Sequence, residues 1–443
     1  MNTLTPESKT APRTKPVATD PAARMDPEKL ALDMATRAVV ARAALAPFSD
    51  IRRSIGLRAI ADAIQAHQAA ILAANDRDIA NARASGRPAA FIDRLQLDES
   101  RLNAIIQAVR DVAGQDDPLG ETIENWQAHS GVDIRQVRVP IGVLAVIYES
   151  RPNVTADAAA LALRSGNAVI LRGGSDSQHS SLALVEAIRA GLGEAGLPVD
   201  LVQHPVTTDR AFVGAVLTGL NGQIDLVIPR GGRDLVARVQ ADARVAVLGH
   251  LDGVCHAYVD KTVDADMARA LILNAKMRRT GVCNALECLI IHADHLETLW
   301  PLIAADLEAA GCRLRGDARA EAHWPTVTSA ADSDWGREFL DSIIAVKTVD
   351  SIEQAIDHIA QYGSGHTDMI VTANDQAAEQ FLNAVDSAVV IVNATTGLSD
   401  GAEFGFGAEI GIATSRLHAR GPVGARQLTT YKYQVRGTGQ VRD

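Results

Sequence analysis

Ile141-Gly-Val-Leu-Ala-Val-Ile-Tyr-Glu-Ser-Arg-Pro-Asn-Val-Thr-Ala-Asp-Ala-Ala-Ala-Leu-Ala-Leu-Arg-Ser-Gly-Asn-Ala-Val-Ile-Leu-Arg-Gly-Gly174 carries the pattern that decides the fold. Two short apolar runs, 143–147 and 168–171, flank a helical stretch at 155–164. Strands apolar on both faces and joined by a helical crossover belong to a parallel sheet. The same alternation predicts further strands at 201–203, 224–228 and 256–259, separated by helices at 180–192, 210–217 and 234–240. It resumes with strands at 288–291, 343–347, 369–372 and 389–392. The expected fold class is α/β, with two doubly wound parallel-sheet domains.

Upstream, residues 28–116 read as helical, with Ile51, Leu57, Ile60, Ile64 and Ile71 forming an apolar stripe. Residues 133–140 and 428–436 alternate polar and apolar side chains, as half-exposed strands do. Two polar strands outside the cores suggest a small β flap used in oligomerisation. The expected organisation is therefore a disordered tail at 1–27, a dinucleotide-binding domain at 28–259 with 128–140 contributing to the flap, a catalytic domain at 260–427 and an oligomerisation strand at 428–443.

The 443 residues are 47% hydrophobic and 22% charged, the balance of a soluble globular protein. A net charge of −11 argues against a general binder of nucleic acid or anionic membranes. Four cysteines, at 255, 283, 288 and 312, form no C-x-x-C pair and no disulfide framework, which suits a reducing cytoplasm. The first 27 residues mix Pro, Thr and acids, unlike a secretory or mitochondrial leader, and translation could start at Met1 or Met25.

The chemistry centres on Arg278-Arg-Thr-Gly-Val-Cys283-Asn-Ala285, where a helical pattern stops and a glycine turn presents one cysteine beside two cations. Positive neighbours favour the thiolate, which is the nucleophilic form; a small buried hydrophobe is the alternative use of such a residue. Two Gly-rich turns, Arg172-Gly173-Gly174-Ser175 and Pro229-Arg-Gly231-Gly232-Arg233, each follow a strand and precede a helix, the position at which nucleotides bind. Asn153 follows Pro152 at a helix start, so its amide can be held rigidly for an oxyanion. Tyr362-Gly-Ser-Gly-His-Thr-Asp368 reads as a loop able to hold a polar substrate tail, or as a well-capped turn. Gly191-Leu-Gly-Glu-Ala-Gly196 fits G-x-G-x-x-G but follows a helix, so it reads as a helix end. Cys288, His292 and His295 lack a fourth ligand with a recognisable pattern, and no metal site is expected there.

Together Asn153, Arg172-Gly-Gly, Leu251-Asp-Gly253, Cys283 and Glu338-Phe339 resemble the aldehyde dehydrogenase superfamily. Val146-Ile-Tyr-Glu-Ser-Arg-Pro-Asn153, Ile228-Pro-Arg-Gly-Gly232, Gly281-Val-Cys-Asn-Ala285 and Gly411-Ile-Ala-Thr-Ser-Arg-Leu-His-Ala-Arg-Gly421 are similar to its γ-glutamyl phosphate reductase branch, over about residues 28–436. The resemblance implies NADPH-dependent reduction of L-glutamyl 5-phosphate to L-glutamate 5-semialdehyde in proline biosynthesis. Cys283 would be the nucleophile, with the oxyanion bound by Asn153 and the Cys283 backbone N–H. Arg172, Gly173, Gly174, Ser175, Gly231, Gly232, Glu338 and Phe339 would hold the NADP cofactor, and Arg278, Arg279 and His366 are candidate substrate contacts. His250 stands where oxidising members carry a glutamate that activates water, and loss of that base disfavours thioester hydrolysis by about two or more orders of magnitude. His250 could itself act as a base. A hydrolytic NAD-linked aldehyde dehydrogenase and a catalytically silent scaffold are the alternatives. The branch implies a homo-oligomer supplied with its labile acyl phosphate by a separate glutamate 5-kinase.

Overall fold

The computed structural model describes residues 25–442; the expected tail lies almost wholly outside them. The first helix, Pro27–Leu45, starts where its residues dictate: Asp26 accepts from the Glu28 N–H at 3.0 Å, and Pro27 takes the first turn. Four more helices follow, Asp50–Ala66, Gln68–Ala84, Ala89–Leu95 and Glu99–Gly114. Leu57, Ile60, Ile64 and Ile71 are buried, as their spacing predicts. Ile51 is 70% exposed instead. It lies nine positions before Ile60, about half a turn out of phase with the stripe.

These helices cover a five-stranded parallel sheet ordered Val202–Gln203, Ala168–Arg172, Val143–Tyr148, Leu226–Arg230, Ala246–Val247. The chain moves outward from Val143–Tyr148 in one direction and later returns to its other side. The loops after Val143–Tyr148 and Leu226–Arg230 therefore meet at the switch point, where the Glu149 N–H donates to the Arg230 carbonyl at 3.0 Å. Gly191–Gly196 closes the helix Gln178–Glu194 and turns at Gly196 with φ of +66°, as a helix end.

A second parallel sheet has seven strands in the order Thr328–Ser329, Arg313–Gly316, Ile343–Val349, Leu286–His292, Cys255–Val259, Thr367–Val371, Val389–Val392. Cys255–Val259 thus belongs here, between Leu286–His292 and Thr367–Val371, and not to the first sheet. The boundary expected after Val259 moves back into the 248–254 connection. A strand buried on both faces carries no mark of which sheet it enters. Nor does residues 260–427 form one unit: Ile410, Ala413, Val423 and Ala425 return to pack in the first core.

The two polar strands do pair: Asp133–Pro140 lies antiparallel between Thr122–Gln127 and Thr429–Arg436. Trp126, Tyr431 and Tyr433 stand exposed on this flap, with the Trp126 and Tyr433 rings edge-on at 6.0 Å.

One buried ion pair fixes the entry to the second sheet. Lys276, near the end of helix Ala265–Met277, meets Glu287, on strand Leu286–His292, at 2.5 Å with both side chains 0% exposed. The other Glu287 oxygen accepts from the Leu340 N–H at 3.1 Å, and Leu340 sits at φ of +53°. Burial raises the Glu287 carboxyl to about 7 against the pull of Lys276. Removing one partner strands a charge in the core. Lys276→Ala is expected to lower unfolding free energy by about 3–5 kcal/mol in urea titrations, and Lys276→Met with Glu287→Leu by less than either single change.

Candidate active site

The strands Cys255–Val259, Leu286–His292 and Thr367–Val371 begin side by side. Gly253, Cys283 and His366 precede them, so all three gather at the amino edge of the seven-stranded sheet. The carboxyl edge of the five-stranded sheet supplies Arg151, Asn153, Arg230 and, beyond Ala246–Val247, His250. The site is the cleft between these edges.

Gly253 packs flat on the nucleophile's backbone. A Cβ there would lie 2.6 Å from the Cys283 Cβ and 2.7 Å from its Cα, so only glycine fits. The Leu251-Asp-Gly253 match thus has a steric basis. The Asn284 amide donates to the Ser399 carbonyl at 3.1 Å, and Thr396 Oγ1 to the Asn284 carbonyl at 2.7 Å, clamping the turn from its other side.

Cys283 is partly buried, and burial alone would raise its thiol; His366 and then Arg230 outweigh that and hold it below the ordinary value. The other three cysteines go the opposite way, because burial pushes Cys255, Cys288 and Cys312 up. Among the described residues, Cys283 is the thiol poised to ionise.

The source of the positive field differs from expectation. Arg278 and Arg279 are exposed, and Arg278 lies over Gly397 with Nε 3.1 Å from where a Cβ would be. His366, expected in a substrate loop, is 0% exposed beside the thiol. The loop around it is spent internally: Ser364 Oγ accepts from the Val254 N–H at 2.9 Å, and Asp368 accepts from the His256 N–H at 2.8 Å. Arg151 and Arg230 supply further charge. Burial, then the Arg230 charge, brings Arg151 to about 10, so it remains a cation at neutral pH.

Asn153 opens helix Asn153–Arg164, and its Nδ2 donates to Asp157 Oδ2 at 3.0 Å. That bond orients the amide and leaves its second N–H free. Burial raises the Asp157 carboxyl to about 6, against the Asn153 hydrogen bond. Asp157 escaped the sequence reading, although the i,i+4 spacing of Asn and Asp on one helix was its signal. Glu409 was missed too. It accepts from the Gly401 N–H at 2.8 Å and feels Arg230.

His250 donates Nδ1–H to the Ile412 carbonyl at 2.7 Å, and burial holds its pKa down. Its ring meets that of His366 edge-on at 5.0 Å.

A dinucleotide would find a fitting cradle. At Gly231 the Glu149 Oε2 and Leu235 Cδ2 lie 2.6 and 2.7 Å from a Cβ position, so these side chains already pack on the backbone and only glycine fits. Glu149 itself accepts from the Gly232 N–H at 2.9 Å, at the start of helix Arg233–Asp242. Arg172 donates Nη2–H to the Thr208 carbonyl at 2.9 Å, while its buried Nε has no partner among the described residues. Gly173 lies under the Tyr148 ring, 3.2 Å from a Cβ position, and exposed Ser175 opens the turn before Gln178–Glu194. Glu338 is half-buried, its carboxyl raised by burial and countered by the Gly253 backbone and His250; Phe339 lies under Arg315 and Arg337.

Cys288, His292 and His295 do not converge: His292 and His295 are held by the Asp350 and Asp260 carbonyls at 3.1 and 2.8 Å. Cys288 lies instead with His256 and His358 in the core.

The aldehyde dehydrogenase family matches residues 5–340. The chain is 53% identical to the gamma-glutamyl phosphate reductase of Brucella suis biovar 1 over 405 residues, covering 91% of this chain and 96% of that protein. It is 53% identical to that of Methylorubrum extorquens over 418 residues, 94% and 96% of the two chains. The crystal structure of the Thermotoga maritima gamma-glutamyl phosphate reductase superposes with a TM-score of 0.91 at 42% identity, covering 93% of this chain and 100% of that one. An acetylating aldehyde dehydrogenase from Geobacillus thermoglucosidasius, at 15% identity and a TM-score of 0.68, shares the fold over 96% and 100% of the two chains. The chain belongs to the aldehyde dehydrogenase family, in its gamma-glutamyl phosphate reductase branch.

Proposed function

We propose that the chain reduces L-glutamyl 5-phosphate to L-glutamate 5-semialdehyde and inorganic phosphate, the second step from glutamate to proline. The observation that carries the mechanism is Cys283, its thiol held below the ordinary value by His366 and Arg230 against burial, with His366 and His250 at its side.

Cys283 gives its proton to His366 and attacks the γ-carbonyl as thiolate. The carbonyl oxygen gains charge, and the free Asn153 N–H with the Cys283 backbone N–H receives it. The C–O bond to phosphate breaks, with Arg151 and Arg230 offsetting the charge on the departing group and His366 returning its proton to it. A thioacyl group remains on Cys283. Arg172 to Ser175, Gly231, Gly232, Glu338 and Phe339 would hold the nicotinamide dinucleotide, which would supply hydride to that carbonyl. Collapse of the resulting oxyanion expels the thiolate and frees the aldehyde. One proton and one hydride are consumed, and phosphate leaves. His250 has its Nδ1–H committed to the Ile412 carbonyl, and burial holds its pKa down.

NADPH is the cofactor we favour, because the partnerless Arg172 Nε suits a ribose phosphate. We assign the exposed aromatic flap to a homo-oligomer interface, and a separate glutamate kinase to the supply of the labile substrate. No helix among the described residues is long and apolar enough to cross a membrane, and a cytoplasmic location fits the free thiols.

Run in reverse, the purified protein should reduce NADP⁺ with pyrroline-5-carboxylate only when inorganic phosphate is present; phosphate-independent turnover would instead support the hydrolytic reading. Cys283→Ser should lower that rate by about 10⁴-fold or more while the fold persists. Gly253→Ala forces the Cys283 backbone to shift, so kcat/KM should fall by about 100-fold and Tm should fall with it. In chelator, alkylation of Cys283 should show its pH inflection below that of a free thiol. His366→Asn should move the inflection up, since the first lowering influence goes and the raising effect of burial stays.

A further inference from the structure

Three soft or borderline ligands meet at the cleft: one donor atom each from His250, Cys283 and His366 lies within 4.8 Å of the others. Both imidazoles are turned so that a lone pair is available. His250 has its Nδ1–H committed to the Ile412 carbonyl at 2.7 Å, which leaves Nε2 as the unprotonated nitrogen. His366 Nδ1 lies 2.9 Å from Thr367 Oγ1 and 3.7 Å from Cys255 Sγ. The Cys255 thiol donates to the Cys283 carbonyl at 3.3 Å, so its sulfur is an acceptor toward His366 Nδ1–H. His366 Nε2 is buried, and no partner for it exists among the described residues. Each histidine is therefore oriented through its far nitrogen by an outer partner, as metal-ligating histidines are.

We propose that His250, Cys283 and His366 form a Zn²⁺ site that reversibly blocks the nucleophile. Two imidazole nitrogens and one thiolate are the ligand types zinc takes, and the cleft leaves a fourth tetrahedral position for water. The ion forms a bond to the Cys283 sulfur in place of its proton, which is released. The half-buried carboxylates of Glu338 and Glu409, which both act on His250, offset the added charge against Arg151 and Arg230. The regulatory meaning rests on the reading of Cys283 as nucleophile; the metal site itself does not.

A competing trio, His256, Cys288 and His358, lies fully buried in the second core. Burial and the Asp368 charge push the Cys288 thiol up, so its thiolate is costly, and all three residues are closed off from solvent in that core. Cys288→Ser thus serves as the control.

The full chain, stripped with chelator, would be titrated with ZnCl₂ against a chromophoric zinc indicator, with iodoacetamide labelling of Cys283 followed by mass spectrometry. One equivalent should bind and protect Cys283 from alkylation, and added chelator should restore labelling. Co²⁺ in place of Zn²⁺ should give a thiolate-to-cobalt charge-transfer band. Cys283→Ser should abolish both the band and the binding. His250→Asn should weaken binding by about 10- to 100-fold or more, the least that losing even an outer partner costs. Cys288→Ser should change nothing. Absence of stoichiometric binding, unprotected Cys283, or binding lost with Cys288→Ser but kept with Cys283→Ser would overturn the proposal. These readouts need no substrate, so failure of the phosphate-dependent assay would leave them intact, and the reverse also holds.

Discussion

Backbone-to-backbone contact between Gly253 and Cys283 is the constraint on which the site depends. A single methyl group at residue 253 would overlap the Cys283 main chain. With hydrogen there, two strand entrances pack directly together, and the nucleophile is set by the sheet instead of by a mobile side chain. The adjacent strands Cys255–Val259, Leu286–His292 and Thr367–Val371 then bring His366 to the same edge. The Lys276–Glu287 pair pins the start of the middle strand and, through Leu340, the segment that carries Glu338. Geometry of this kind is cheap to preserve, because it is held by elements that the core already requires.

Four cysteines of one chain show how far surroundings govern thiol chemistry. Burial pushes the thiols of Cys255, Cys288 and Cys312 up, whereas Cys283 faces an imidazole and an arginine whose pull outweighs its burial. Burial acts on all of them in the same direction. What separates Cys283 is a pair of positive partners contributed by segments far away in the chain.

That distance explains what could be read from residues alone. Apolar runs joined by amphipathic helices are local signals, so both sheets and the pairing of the polar flap strands were legible. Cys283 in a glycine turn was legible too. Arg278 and Arg279 looked like its cations because they are neighbours in sequence, yet both are exposed, with Arg278 over Gly397, and His366 and Arg230 arrive through strand order. The same blindness placed Cys255–Val259 in the wrong sheet. Apolarity says that a strand is buried, while its partners are chosen by crossovers the pattern does not encode. Asn153 was legible from its rigid position, but Asp157, which aims its amide, was overlooked one helical turn later.

Glu149 accepts from the Gly232 N–H where a helix begins, and packs on the backbone of Gly231. Amides at such a terminus demand a negative partner. The chain brings one along, from the loop after the neighbouring strand, so the Gly232 amide is already partnered before any ligand arrives. Its shape is consequently a property of the polypeptide and not of the guest, and a nucleotide entering there must evict a resident carboxylate instead of ordering a loose loop.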